Sequence, residues 1–435
     1  MLTNLIFLTL FLIKTVWALQ GNKILVLLDN LQSRDKYSQF FETLTDRGYH
    51  LSYNVADDSK LILQKNNVYV CDHLILLAPS VEEFGGQFSV EELTTFIDTG
   101  HNILVATNTN IGAPIRELAV ECGFEYDQPG TYAIDHFNYD NKDQGKHTLI
   151  WGDSSDLVDS KIIVGNTKKP ILYQGIGLIR DPDNKLAFDV LTARSTAFSY
   201  SPDALRVTTY PHASGRGLSL VAAVQALNDA RVAFTGSDML FSNAFFGANV
   251  KDGLTGKSIG PSGNKEFAVA LSKWIFKETG VLRAGNVTHH KIGGIENPLS
   301  YTITDDVIYE IDIETLNDKG RWVPYVAKDI QIEFVRIDPF IRTGLSYKGG
   351  KYTAKFKLPD VYGVFQFKVD YLRKGYTHLF ITKQVSVKPF QHTQYERFIP
   401  TAYPYYTSAF LMMVMVYLLV FMVLYDKEDK KTKSD

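Results

Sequence analysis

The sequence predicts an α/β open-sheet domain, then an antiparallel β-sandwich domain, then one C-terminal transmembrane helix. Three observations carry this. Up to about residue 280, short apolar runs alternate with helix-period segments, the pattern of a parallel sheet covered by helices. Beyond Gly285 the hydrophobic period drops to two, as in strands with one wet face. From Phe398 to Tyr425 no charged side chain occurs, and such a stretch is long enough to cross a bilayer core of roughly 30 Å.

The elements follow in chain order. Leu5–Ile13 is a short apolar run, and Val16-Trp17-Ala18 offers a signal-peptidase site. The run is too short to span, and an anchor helix would place Lys14 inside the membrane at high cost. Residues 1–18 therefore read as a cleaved signal, although no basic residue precedes the run. Lys23–Asp29 is the first strand. Tyr37–Gly48 is a helix with Phe40, Phe41 and Leu44 on one side. Leu51–Val55 and the wholly apolar His73–Ala78 are further strands. Ser89 caps the helix Val90–Asp98, with Glu92 placed to complete a capping box. Asn102–Thr107 is a fourth strand, and Ile115–Cys122 a helix closed by Gly123. Ile176–Asp181 and Lys185–Arg194 suggest a hairpin around Asp181-Pro182-Asp183-Asn184. Leu218–Val224 and Arg231–Thr235 are two buried strands. Asn264 is placed to cap an amphipathic helix reaching about Thr279, with Phe267, Leu271, Trp274 and Ile275 as its apolar stripe.

In the next region Val307, Tyr309, Ile311 and Ile313 alternate with carboxylates. Ile330–Phe334, Tyr352–Leu358 and Phe365–Tyr371 alternate likewise, and His378–Lys388 adds a strand. This succession predicts the sandwich. The layout is then 1–18 signal, 19–284 α/β region, 285–390 sandwich, 391–404 connector, 405–425 transmembrane helix and 426–435 tail. Tyr403, Tyr405 and Tyr406 form an aromatic belt before the helix. Lys427, Lys430, Lys431 and Lys433 follow it, so the positive-inside rule puts the tail in the cytosol and the bulk of the chain outside it. Lys431 and Lys433 also match the spacing of a dilysine retrieval signal of endoplasmic reticulum membrane proteins.

A net charge of −3 gives no sign of nucleic-acid binding. Cys71 and Cys122 are the two cysteines. In an oxidising lumen they could form a disulfide, and two buried thiols fit the sequence equally well. Asn286-Val287-Thr288 is a sequon, making Asn286 a candidate for N-glycosylation.

Motifs for chemistry fail in turn. Gly253–Ser258 ends like a phosphate loop but has Lys251 where the first glycine belongs, and Ile259-Gly260-Pro261 forbids the helix that should follow. Gly175-Ile-Gly177 and Gly215-Arg-Gly217 lack the third glycine of a dinucleotide fingerprint. Thr235-Gly-Ser237-Asp-Met ends a strand but lacks the second glycine of a nucleophile elbow. Asp181-Pro-Asp183 matches a metal-holding D-x-D, yet it is also what a tight turn wants. His289 and His290 point opposite ways on an extended chain. No catalytic, cofactor-binding or metal-binding residue is assigned. If the chain were instead an independent hydrolase or transferase, Asp29, Ser237 and Asp238 at strand ends would be the suspects.

Four stretches carry a family resemblance: Trp274–Arg283, Asp329–Pro339, Lys357–Tyr371 and Gln391–Pro400. They resemble the family of 48 kDa subunits of the oligosaccharyltransferase complex, and the likeness covers the whole chain. The resemblance implies a single-pass type I protein of the endoplasmic reticulum membrane. The complex of that family transfers a preassembled oligosaccharide from dolichyl diphosphate to Asn in N-x-S/T. It also implies an accessory role in assembly and stability, with the catalytic carboxylates and divalent metal on a separate polytopic subunit, and no cofactor here. The implied partners are that catalytic subunit, the ribophorins, the defender-against-cell-death subunit and membrane lipid. A glycan- or peptide-binding receptor is the remaining alternative.

Overall fold

The structure, a computed structural model, describes residues 21–203, 210–317, 320–395 and 399–425. Residues 1–18, Lys431 and Lys433 lie outside them.

The N-terminal region is built on a nine-stranded sheet. Its strands are β1 Lys23–Leu28, β2 His50–Val55, β3 His73–Leu77, β4 Asn102–Ala106, β5 Phe124–Tyr126, β6 Leu178–Arg180, β7 Ala187–Thr192, β8 Ser219–Gln225 and β9 Arg231–Thr235. The order is β2-β1-β3-β4-β9-β8-β6-β5, with β7 also on β8. The first five run parallel. The rest are antiparallel, so the sheet is mixed. Helices α1 Ser38–Asp46 and α4 Asn264–Ile275 pack on one face, through Phe40, Leu44, Phe267 and Leu271. Helices α2 Val90–Asp98 and α3 Ala113–Glu121 cover the other, through Leu93, Phe96, Ile115 and Leu118. Covered on both faces, β1 and β3 need no polar alternation, which explains Ile24–Leu28 and Leu74–Leu77.

Several expectations need correction. β6 and β7 do not pair as a hairpin; each bonds to β8 instead. The turn between them forms as read, with Asp181 Oδ1 accepting from Asp183 N. Ser89 Oγ accepts from Glu92 N at 3.2 Å, while no bond from the Glu92 side chain back to the cap is recorded. Helix α4 has Gly263, not Asn264, at its cap. Asn264 is wholly buried, and its side chain brackets Leu172, taking the N–H at 2.8 Å and donating to the C=O at 2.8 Å. The helix ends at Ile275, short of Thr279, because the chain turns through Lys277 in the left-handed region (φ 60°) to deliver carbonyls to Arg231. No bridge joins Cys71 and Cys122. Both are free and buried, one just before β3 and the other capping α3, and burial pushes each thiol up to about 12.

The C-terminal region is a sandwich of two five-stranded sheets. Its strands are β10 Leu282–Lys291, β11 Ser300–Thr302, β12 Asp306–Leu316, β13 Trp322–Pro324, β14 Gln331–Val335, β15 Pro339–Gly344, β16 Ser346–Lys348, β17 Lys351–Lys357, β18 Gly363–Tyr371 and β19 Leu379–Lys388. One sheet has the order β10-β12-β17-β16 with β13 on β12; the other has β11-β19-β18-β14-β15. Only β11 and β19 pair in parallel. Val307, Tyr309, Ile311, Phe365, Phe367 and Val369 fill the space between the sheets. Phe334 and Phe365 stack at 4.6 Å.

One guanidinium ties the two regions. Arg231, at the start of β9, is fully buried and donates to the carbonyls of Trp274 (2.6 Å), Thr279 (2.8 Å) and Gly280 (2.8 Å) within the α/β region and, at 3.5 Å, to Gly375 O of the sandwich. Its charge lies 5.0 Å from the Trp274 ring, whose Nε1 donates to Gly375 O at 3.0 Å. Gly375 sits in the turn between β18 and β19. That turn is held again by Gln225 Nε2 on Tyr376 O, by Asp229 Oδ1 on His378 N and by Thr377 Oγ1 on Leu282 N. Gly280 must be glycine: its φ is 70°, and a Cβ would lie 2.1 Å from Gly375 O.

Helix α5, Tyr403–Tyr425, follows the sandwich. The apolar stretch runs from Pro400 to Tyr425 with every residue of its core facing outward. It is the one helix among the described residues long and apolar enough to cross a membrane.

Candidate functional site

In an open α/β sheet, the crevice forms where successive crossovers leave a strand in opposite directions. Here β1 lies between β2 and β3, so the chain reverses at β1. Its carboxyl end opens into a cavity of about 660 Å³. Asp29 follows β1, Asp57 follows β2, and Ser80, Glu82 and Glu83 follow β3. Burial raises the Asp29 carboxyl above its ordinary value, against the bonds it receives from the Ser80 side chain and backbone; Asp238 adds to the rise and Lys36 opposes it.

Beside the crevice, Asp238 is buried and takes bonds from Lys36 Nζ at 2.6 Å and Tyr37 OH at 2.7 Å. Burial and the Asp238 charge hold the Tyr37 phenol protonated far above its normal range. The aspartate thus pins the 3-10 turn Leu31–Tyr37 to the loop after β9. Ser237 is fully buried, and its Oγ donates to Gln174 O at 2.7 Å. Of the three suspect residues, Asp29 faces the crevice while Ser237 and Asp238 are held in structural bonds.

The other motifs resolve into packing. A Cβ on Gly175 would lie 1.9 Å from Gly236 O, and one on Gly236 1.9 Å from Ile176 O. These glycines let two backbone segments touch. Gly253–Ser258 connects the small strands Asn249–Lys251 and Ser258–Pro261, capped by Asp252. His289 is buried, with Nδ1 2.7 Å from Tyr301 OH, and burial lowers it to about 4. His290 lies on the opposite side of β10. Asn286 is exposed, in an irregularity of β10 where the register shifts between Ala284 and Val287.

Four carboxylates and one hydroxyl can accept hydrogen bonds from hydroxyl groups, and they repel an anion. Ser80, bonded to Asp29, is the one hydroxyl paired with a carboxylate in the lining, which holds no His, Cys or Lys. Among the described residues no group of three His, Cys, Asp or Glu converges to hold a metal. The sequence pointed to Asp29 through its place after a strand. Asp57, Ser80, Glu82 and Glu83 were missed: they too follow strands, but their meeting with Asp29 depends on the strand order β2-β1-β3.

Known proteins resemble this chain along its length. The family described as OST48, N-terminal domain, matches residues 15–278, and the OST48 middle domain matches residues 289–427. A Danio rerio protein named "Dolichyl-diphosphooligosaccharide--protein glycosyltransferase 48 kDa subunit" is 54% identical over 98% of this chain and 97% of its own. The protein of that name from Drosophila melanogaster is 52% identical over 93% of this chain and 91% of its own. The one from Caenorhabditis elegans is 47% identical over 94% and 92%.

Proposed function

Because the chain belongs to the OST48 family, the 48 kDa subunits of dolichyl-diphosphooligosaccharide–protein glycosyltransferase, we propose that it is an accessory, non-catalytic member of that complex. In this reading it sits in the endoplasmic reticulum membrane with residues 19–404 in the lumen and the lysine tail in the cytosol. It helps assemble and stabilise the complex that moves oligosaccharide from dolichyl diphosphate to Asn of N-x-S/T. Its partners are the polytopic catalytic subunit, which holds the metal, the ribophorins and the defender-against-cell-death subunit.

The observation that carries the reading is the state of the residues at the strand ends. Ser237 and Asp238 are committed to backbone and side-chain bonds, and the open crevice is acidic. Such a crevice repels a dolichyl diphosphate rather than binding it. The chain also offers what a subunit needs: two folded regions bonded to each other and one apolar helix. Depleting the chain from cells is expected to lower N-glycosylation of secreted reporters, with restoration by S237A and D29N variants. Restoration by the wild type alone would point to chemistry of its own.

A second reading rests on Asp29. Its raised carboxyl beside Ser80 suits hydrogen bonding to a neutral polyhydroxyl ligand. Equilibrium binding of a free oligosaccharide that D29A abolishes would support that reading, and an unchanged titration would dismiss it.

A further inference from the structure

The strand registers give the sandwich two different ends. At one end lies the β18–β19 turn, Leu372–His378, fastened to the α/β region through Gly375, Tyr376 and His378. At the other, Lys291 meets Val307, Lys357 meets Asp306, Gly363 meets Val387 and Val335 meets Gln366. The loops after β10, β14 and β17 therefore share this second end. The chain also leaves there, after Lys388 of β19.

These loops expose large apolar side chains. Ile295 is 85% exposed and Leu299 92% in the loop after β10; Ile337 is 88% exposed after β14; Tyr362 is 65% exposed after β17. No packing reason holds them outward. Scattered exposed apolar residues are ordinary, but a set gathered at one end of a domain marks a contact surface.

The position of the membrane span says what that contact is. It starts at Pro400, twelve residues beyond Lys388, and an extended chain of that length reaches about 40 Å at most. The 3-10 turn His392–Gln394 shortens it further. Tyr395 is exposed along this short path, as are Tyr403 and Tyr405 at the start of α5, and tyrosine favours the headgroup level. The end bearing the apolar loops is thus the end nearest the bilayer, with the α/β region held at the far end.

We infer that the sandwich stands on the membrane, with Ile295, Leu299, Ile337 and Tyr362 seated in the lipid headgroup–acyl boundary. The occupant of this surface is lipid, and the footing fixes the height of the ectodomain above the bilayer. The inference rests on the membrane-anchored reading of residues 400–425 but not on the subunit's role.

The test uses single exposed cysteines, since Cys71 and Cys122 are buried and raised to about 12 and escape labelling. L299C, I337C and Y362C, with V68C on the α/β region as reference, are labelled with a polarity-sensitive fluorophore. The full chain is reconstituted in nanodiscs containing shallow nitroxide lipids, and the assembled complex likewise. Tips seated roughly 5–10 Å into the boundary lose most of their emission in both preparations, while V68C keeps its own. Emission at all three tips equal to V68C overturns the footing. So does quenching that vanishes in the assembled complex, especially with photo-cross-links from the tips to another polypeptide, which would assign the surface to a protein partner. Alkaline extraction of the chain from membranes would instead refute the anchored reading itself.

Discussion

Replacing Arg231 by Met should weaken the joint between the two regions more than any surface change. The guanidinium donates closely to three carbonyls, of Trp274, Thr279 and Gly280, and at 3.5 Å to Gly375 O across the joint. Hydrogen bonds to a charged donor contribute about 1.5–3 kcal/mol each, so the three sum to roughly 5–9 kcal/mol. Burial opposes them: it lowers Arg231 to about 9, so desolvation offsets a large part of that gain. Methionine brings no charge and no donor; Trp274 O keeps Lys277 N at 3.1 Å and Gly280 O keeps Thr377 N at 2.9 Å, while Thr279 O loses its side-chain donor. With the desolvation relieved, the bonds lost and Thr279 O left short of a donor (about 1–3 kcal/mol) put the net loss at about 3 kcal/mol. At about 2–4 °C per kcal/mol for regions of this size, R231M should lower the melting temperature by roughly 6–12 °C. Differential scanning calorimetry of the detergent-solubilised chain reads this directly. The control is R283M. Arg283 lies 4.0 Å over Trp322 and pairs with Glu314, but it is half exposed, so its loss should cost no more than about 1 kcal/mol. R231K keeps the charge but gives one amine for three separated carbonyls, so it should restore only part of the loss. If R231M melts with the wild type, or if R283M costs as much, the joint does not depend on this residue.

Other outcomes follow from the same packing. G175A or G236A drives a methyl to within 1.9 Å of a backbone oxygen, so each should melt early or fail to accumulate, whereas G256A, with open space around it, should lose little beyond the strain of its positive φ. His73 is buried and lowered to about 4. The unfolded chain takes up that proton near 6.5 but the folded chain only near 4, so stability falls as pH drops through that window. The loss is at most about 3 kcal/mol, and H73Q should flatten the slope in denaturant titrations. Reducing agent should leave the melting temperature unchanged, and thiol alkylation should require unfolding, because Cys71 and Cys122 are free and buried. Asn286, exposed on β10, should carry a glycan that endoglycosidase removes and N286Q never acquires; an unshifted band for the wild type would dismiss that assignment.

Most of the architecture was legible in the sequence because burial writes period into it. The wholly apolar β1 and β3, the alternation in β12 and β18, and the apolar stretch of α5 each follow from which faces are covered. What was not legible depends on distant partners. Asn264 resembles a cap, yet the buried Leu172 backbone claims it. The end of α4 is set by Arg231, 43 residues earlier. β6 and β7 are joined by a good turn, but β8 is the better partner for both. Strand β10 was hidden because its bulge at Gly285-Asn286 breaks the alternation. The crevice was half legible. Strand ends marked Asp29, whereas the contribution of Ser80 needs the β1–β3 adjacency, which no local pattern encodes.

The proposed role requires that this chain work within an assembly and perform no glycan transfer alone. The direct measurement is transfer of oligosaccharide from a dolichyl-diphosphate donor to an N-x-T peptide, made on two samples from one mild-detergent extract. One is the tagged chain with everything that co-purifies; the other is the same chain stripped of its companions. The first should glycosylate the peptide and the second should not, at any concentration. Activity that follows the stripped chain, or a tagged chain that emerges from the membrane alone, would contradict it.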